Sequence, residues 1–254
     1  MKSIVNIRGV LIGDGAPKIC VPMVGKTIYE LKEEAEYLKS IDLDIAEWRV
    51  DFFKDVKDIP KVKEALKVIR SVLADMPLLF TLRSAKEGGQ IEMDRDYYFQ
   101  LNKSIVETKF VDAIDVELFN LEEDVKALVK AAHKVGVFVI ISNHNFNKTP
   151  EKEEIISRLC RAQELGADIS KIAVMPNCTE DVITLLDATR IMKEVNARGP
   201  IITMSMASKG VITRISGEVF GSDITFGAAK KNSAPGQISV EDLRNIIQLL
   251  HKNL

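Results

Sequence analysis

The sequence predicts an α/β fold, a single closed (β/α)8 barrel of the TIM type over residues 1–254, and three observations predict it. Strand-like and helix-like stretches alternate eight times within 254 residues, and eight parallel units in roughly 250 residues are the signature of such a barrel. The strands are mostly continuous runs of apolar residues, as expected where both faces are covered. A hairpin precedes the first unit. An open doubly wound sheet, the competing architecture, offers that hairpin no place, whereas in a barrel it closes the bottom, where the strands begin.

The hairpin joins the mostly apolar runs Ser3 to Ile7 and Val10 to Ile12, with Gly9, Gly13 and Gly15 nearby as turn formers. The first barrel strand is KICVPMV (18–24), and Thr27 caps the helix TIYELKEEAEYLKS. The second, DIAEWRV (44–50), leads to a helix around Val62 to Leu73. The third, PLLFTLR (77–83), leads to a loop holding Glu87, Gly88 and Gly89, then a helix from Arg95 to Glu107. FVDAIDVEL (110–118) is followed by the helix LEEDVKALVKAAHKVG, ending at Gly136. After VFVIISNHNF (137–146), Pro150 opens a helix running to Leu165, with Gly166 as its C-cap. The sixth strand, DISKIAVM (168–175), precedes a helix from about Glu180 to Asn196. PIITMSM (200–206) and a helix near Val211 to Glu218 make the seventh unit. ITFG (224–227), the loop GAAKKNSAPGQ and a last helix capped by Ser239 make the eighth. No linker, low-complexity segment or shift of composition divides the chain.

Composition narrows the function. With 46% hydrophobic and 28% charged residues and a net charge of -2, nothing points to nucleic acid or an anionic membrane as partner. No apolar run approaches the roughly 18 to 20 residues of a membrane span. The first residues, MKSIVNIRGVLIGDGAPK, lack the apolar core of a signal peptide. Cys20, Cys160 and Cys178 show no CxxC spacing; they read as reduced thiols in a cytoplasmic protein, with neither a disulfide framework nor a metal site.

Barrel active sites lie at the C-terminal ends of the strands, and reading only those ends collects an unusual set. Glu47 and Arg49, two apart, share one face of the second strand, as Asp115 and Glu117 do on the fourth. Arg83 ends the third strand and Glu87 sits in its loop. His144 ends the fifth. Lys171 faces the same way as Ala173 and Met175 inside the apolar sixth strand. Met204, Ser205 and Met206 lead to Arg214, and Ser233 and Gln237 lie in the last loop. Each has a plain structural reading: an exposed lysine at a strand edge, ion pairs of Arg49 with Glu47 and of Arg83 with a neighbouring carboxylate, a satisfied histidine, two packing methionines. Whether Asp115 and Glu117 shape a site or only the barrel packing stays open. His133 falls in a helix pattern and His251 near the C-terminus, which leaves His144 as the histidine placed for chemistry. Cys178 is near the rim but has no obvious base.

A lysine facing a packed interior is costly unless its charge is paired or its pKa falls. A desolvated amine can attack a carbonyl, and the resulting iminium acidifies the neighbouring C–H. A histidine moves that proton both ways, a glutamate orients the histidine, and arginines bind carboxylate. The residues alone therefore suggest Schiff-base proton abstraction on an anionic carbonyl compound, by an aldolase or a dehydratase. A catalytically silent binding barrel is the third alternative.

EWR at Glu47 to Arg49, RSAKEGG at Arg83 to Gly89, SNHNFNKTP at Ser142 to Pro150, ISKIAVM at Ile169 to Met175 and FGAAKKNSAPGQ at Phe226 to Gln237 together resemble the type I 3-dehydroquinate dehydratases, in order and over nearly the whole chain. The resemblance implies a hydro-lyase that converts 3-dehydroquinate to 3-dehydroshikimate in the shikimate pathway of aromatic amino acid biosynthesis. It implies that Lys171 forms an imine with the C3 ketone, that His144 is general acid and base, and that Glu87 orients His144. It also implies that Arg214 pairs with the substrate carboxylate and that Glu47, Arg49, Arg83, Ser233 and Gln237 hold hydroxyls and carboxylate. Met204, Met206 and Phe226 complete the implied substrate-binding set, and the Ser233 to Gln237 loop closes as a lid. No metal or organic cofactor and a homodimer are implied as well. A sugar-phosphate aldolase would instead carry a glycine-rich phosphate cradle after strands seven and eight, where this chain has Ser-Ala-Pro-Gly-Gln.

Overall fold

The computed structural model describes residues 3–229 and 238–254. Strands β1 (Val5–Ile7) and β2 (Val10–Ile12) pair antiparallel as the expected hairpin. Eight strands follow: β3 (Lys18–Met23), β4 (Ile45–Arg49), β5 (Leu78–Thr81), β6 (Ala113–Glu117), β7 (Phe138–Asn145), β8 (Ile169–Val174), β9 (Ile201–Ser205) and β10 (Ile224–Phe226). They form one sheet in the order β10-β3-β4-β5-β6-β7-β8-β9, with every strand pairing parallel. The seam between β9 and β10 is bridged through the residues just before β10. Asp223 N–H donates to the Ile201 carbonyl at 2.8 Å, and the Asp223 carboxylate accepts from Ile201 N–H at 2.8 Å. Ser222 Oγ accepts from Thr203 N–H at 3.0 Å.

The strands alternate faces with period two, and the inward face reads apolar at the bottom and polar higher up. Ile45 precedes Glu47, Leu79 precedes Thr81, Ala113 precedes Asp115, Ile140 precedes Ser142, and Ile169 precedes Lys171. Cys20, Ile45, Leu79, Ala113, Ile140, Ile169, Ile202 and Ile224 form a buried plug with Val5, Ile7 and Ile12 of the hairpin. The hairpin thus floors the barrel, since an open lower end would leave this apolar layer in water. Outward residues such as Trp48, Phe80, Ile114 and Ile141 pack under the helices.

The helices are α1 (Ile28–Leu38), α2 (Ile59–Leu73), α3 (Arg95–Val106), α4 (Glu122–Lys134), α5 (Lys152–Glu164), α6 (Thr179–Ile191), α7 (Val211–Ile215), α8 (Gly217–Phe220) and α9 (Val240–His251). Thr27 Oγ1 accepts from Glu30 N–H at 3.2 Å and Ser239 Oγ from Asp242 N–H at 3.1 Å, so both expected caps are made; each is worth about 1 kcal/mol. Three expected helices differ in detail. Residues 211–218 do not make one helix but two, because α7 stops at Ser216. The helix expected to reach Asn196 ends at Ile191 and passes into a wider π turn over Met192–Asn196. Pro150 lies just ahead of α5, which starts at Lys152 after Glu151. Among the described residues no helix is long and apolar enough to cross a membrane.

Candidate active site

The site is built by the change from apolar to polar along the inward strand faces. Lys171, at the middle of β8, is 5% exposed. Its Nζ donates to Asp115 Oδ2 at 3.1 Å and lies 4.6 Å from the centroid of the Phe226 ring. The strand-edge reading, with the ammonium in water, is therefore overturned: the charge is buried and paired. Asp115 also accepts from Arg83 Nη2 at 2.7 Å and Ser142 Oγ at 2.6 Å. Burial alone would raise the Asp115 pKa, but Arg83 and Lys171 outweigh it and hold this carboxyl well below the usual range.

Glu87 reaches the site from a short turn, Ala85–Glu87, that follows β5. Two glycines make the turn possible. Gly88 has φ +85, and a Cβ there would sit 2.3 Å from the Phe146 ring. A Cβ on Gly89 would lie 2.0 Å from the Arg83 carbonyl oxygen. The turn aims Glu87 Oε2 at His144, where it accepts from the backbone N–H and lies 2.9 Å from Nδ1. Glu87 Oε1 accepts from Asn143 Nδ2 at 3.1 Å. Burial pushes the Glu87 carboxyl up to about 7, against the pull of Arg83 and with the push of Glu117. Burial, with Arg83 and Lys171, pushes His144 well below its ordinary value. The imidazole is thus neutral at neutral pH. When Glu87 is ionised, Nδ1–H donates to it and Nε2 carries the lone pair.

The arginines are held by carboxylates. Arg49 pairs with Asp51 through two bonds of 2.8 Å, not with Glu47, which accepts from Thr81 Oγ1 at 2.7 Å. The expected Glu47–Arg49 ion pair is thus replaced, because Asp51 offers both oxygens to the guanidinium fork. Arg83 donates to Asp115, Glu117 and Ser142. Despite these bonds, both arginines still line a cavity of about 200 Å³ with Glu47, Glu87, His144 and Lys171. Its other walls are Gly88, Phe146, Ala173, Met204, Met206, Arg214 and Phe226. Arg214 is 2% exposed and donates from Nη1 to the Phe226 carbonyl at 3.3 Å; burial pushes it down to about 10, still a cation at neutral pH.

Every site residue named from the sequence within the described residues therefore meets at one cavity. Ser233 and Gln237, with the expected lid, lie outside the described residues. Asp115 and Glu117, left open by the sequence, do not line the cavity but hold the Arg83 guanidinium, and Asp115 also the Lys171 ammonium. Thr81, Ser142, Asn143 and Phe146 were not singled out; strand alternation gave a signal for the first two, which share a face with Arg83 and His144. His133 and His251 instead pair at the surface with Asp168 and Glu218, and Cys178 is exposed. Among the described residues no group of three or more His, Cys, Asp or Glu is placed to hold a metal ion.

A buried lysine, a neutral histidine with an oriented tautomer and a buried arginine around one cavity suit proton transfer on an anionic carbonyl compound. Known proteins share both sequence and fold. The family model described as type I 3-dehydroquinase matches residues 19–254. A 3-dehydroquinate dehydratase of Listeria innocua is 61% identical over 248 residues, 98% of each chain. Another, from Bacillus licheniformis, is 59% identical over 254 residues and covers 100% of both chains. The solved type I 3-dehydroquinate dehydratase of Clostridium difficile, with covalently modified comenic acid, is 57% identical with a TM-score of 0.98 and full coverage of both chains. The chain belongs to the type I 3-dehydroquinase family.

Proposed function

We propose that the chain dehydrates 3-dehydroquinate to 3-dehydroshikimate, in the shikimate pathway, through a Schiff base on Lys171 with His144 as general acid and base. By family membership it is a hydro-lyase. The observation that carries the covalent reading is the buried Lys171 Nζ in the same cavity as a neutral His144 held by Glu87. Lys171 is the cavity's amine and His144 its neutral base. Lys171 passes a proton to His144 and its amine attacks the C3 carbonyl; His144 returns that proton to the carbinolamine hydroxyl, which leaves as water and gives the iminium. His144 Nε2 then takes a proton from C2, and the electron pair moves into the iminium as an enamine. The same imidazolium gives that proton to the C1 hydroxyl as it leaves as water. Hydrolysis of the conjugated imine releases product and restores Lys171. Glu87 stabilises the imidazolium while it lasts.

The carboxylate of the substrate pairs with Arg214, and the remaining polar wall, Glu47, Arg49 and Arg83, takes its hydroxyls. Ser233 and Gln237 join this set through the family resemblance, as do the lid and the homodimer. The three free cysteines support a cytoplasmic location.

Intact mass after adding 3-dehydroquinate and borohydride, followed by peptide mapping, tests the reading. The expected result is a reduced adduct on Lys171, absent in Lys171→Ala, whose rate falls by several orders of magnitude. An adduct elsewhere, or near-normal turnover by Lys171→Ala, refutes the covalent role.

A further inference from the structure

We propose that Asn143 and Arg158 form a positioning arm behind His144: Arg158 fixes the Asn143 amide, whose N–H then holds the Glu87 carboxylate that orients the imidazole. The inference rests on the reading of His144 as acid and base. Asn143 leaves β7 on the face opposite to Ser142 and His144, and neither it nor Arg158 lines the cavity. Asn143 is nonetheless 3% exposed. Arg158 Nη1 donates to its Oδ1 at 2.6 Å, and its Nδ2 donates to Glu87 Oε1 at 3.1 Å. The two ends of an amide are told apart by their partners. Here a cation on one side and a carboxylate on the other leave a single orientation, because the reverse would set N–H against guanidinium and oxygen against oxygen.

Arg158 is itself held on α5 by Glu154, one turn earlier, and by the Phe119 ring, 5.1 Å from its guanidinium carbon. Since Glu154 offsets its charge, Glu87 feels an aimed amide dipole more than a distant cation. The arm serves the second carboxylate oxygen, as His144 occupies the first. Arg83, Glu117 and Asp115 also act on Glu87, while Arg83, Lys171, Asp115 and Arg49 act on His144. Among these, the Asn143 hydrogen bond favours the ionised form of Glu87. Removing it leaves a buried carboxylate oxygen short of a donor and moves the proton toward Glu87.

The test compares pH profiles of kcat with 3-dehydroquinate. Asn143→Leu keeps the volume and deletes the donor. Its acid limb is expected to move up by about one pH unit, a roughly tenfold loss below the limb that recovers at high pH. Arg158→Met is expected to move the limb the same way by less, Arg158→Lys to restore it, and the double variant to move no further than Asn143→Leu. Arg158→Met carries the test alone if Asn143→Leu does not fold. A limb that stays in place while only thermal stability falls overturns the arm, as do shifts that add in the double variant. Borohydride trapping on wild-type protein is run in parallel. An adduct on Lys171 with an unmoved limb overturns the arm alone; no adduct in the wild type overturns the arm and the reading beneath it.

Discussion

Glu87 and His144 each resist charge for the same reason, burial, yet they meet at 2.9 Å, and the proposed acid–base role requires them to share charge. With the Glu87 carboxyl pushed up to about 7 and His144 well below its ordinary value, the proton of the pair resides on Glu87 below about pH 7. The form that the proposed mechanism needs, neutral imidazole on ionised carboxylate, appears as the pH rises through about 7. Wild-type kcat is therefore expected to fall about tenfold per unit below that point; a profile flat to pH 5 would show that ionised Glu87 is not needed. Under the proposed mechanism, His144→Ala is expected still to form the imine slowly, trapped by borohydride, while turnover drops by about 10² to 10⁴. Normal turnover in that variant would mean another base. The two carboxylates affect stability in opposite directions. Glu87, raised from 4.5 to about 7, leaves the folded chain holding the extra proton, so its contribution declines as pH rises across that window. Asp115, lowered, contributes above its unfolded value of 3.8, and that contribution is lost as pH falls toward its folded value.

Turns and strand ends do the aiming. The Ala85–Glu87 turn is closed by hydrogen bonds from Gly89 N–H and Glu87 N–H to the Ser84 carbonyl, at 2.8 and 3.0 Å. Gly89 sits where a methyl would meet the Arg83 carbonyl oxygen at 2.0 Å. That neighbour is backbone just beyond β5, where no side-chain rotation relieves the clash. Gly89→Ala is thus expected to shift Glu87 by on the order of 1 Å and lower kcat about a hundredfold, with far-UV circular dichroism unchanged. An unaltered kcat would show that the turn absorbs the methyl without moving Glu87. The strands and their order were legible because buried parallel strands are short apolar runs, as in IISN and ISKIAV. The division at Ser216 and the π turn after Ile191 were not, since Val211 to Phe220 carries one continuous apolar periodicity and nothing local in MKEVN marks a wider turn.

Across the whole molecule, stability and chemistry are stacked in separate layers. The hairpin residues Val5, Ile7 and Ile12 plug the lower barrel, and the charged layer begins one inward position above it. Ile12 is completely buried. Ile12→Ala is expected to cost about 2 to 5 kcal/mol in urea unfolding while leaving kcat within about twofold. A fall in kcat to match the lost stability would mean that floor and site are coupled.

By itself the sequence determined the barrel, its hairpin floor and the inward-facing set Glu47, Arg49, Arg83, His144 and Lys171, because period-two alternation and strand order are local properties. It could not decide partners. That Arg49 takes Asp51 and not Glu47, that Asp115 rather than water holds the Lys171 ammonium, and that Asn143 reaches Glu87 from the outer strand face depend on distances between strands and turns far apart in the chain. Electrostatic pairing falls off with separation and strengthens with burial, and both are set only once the barrel closes.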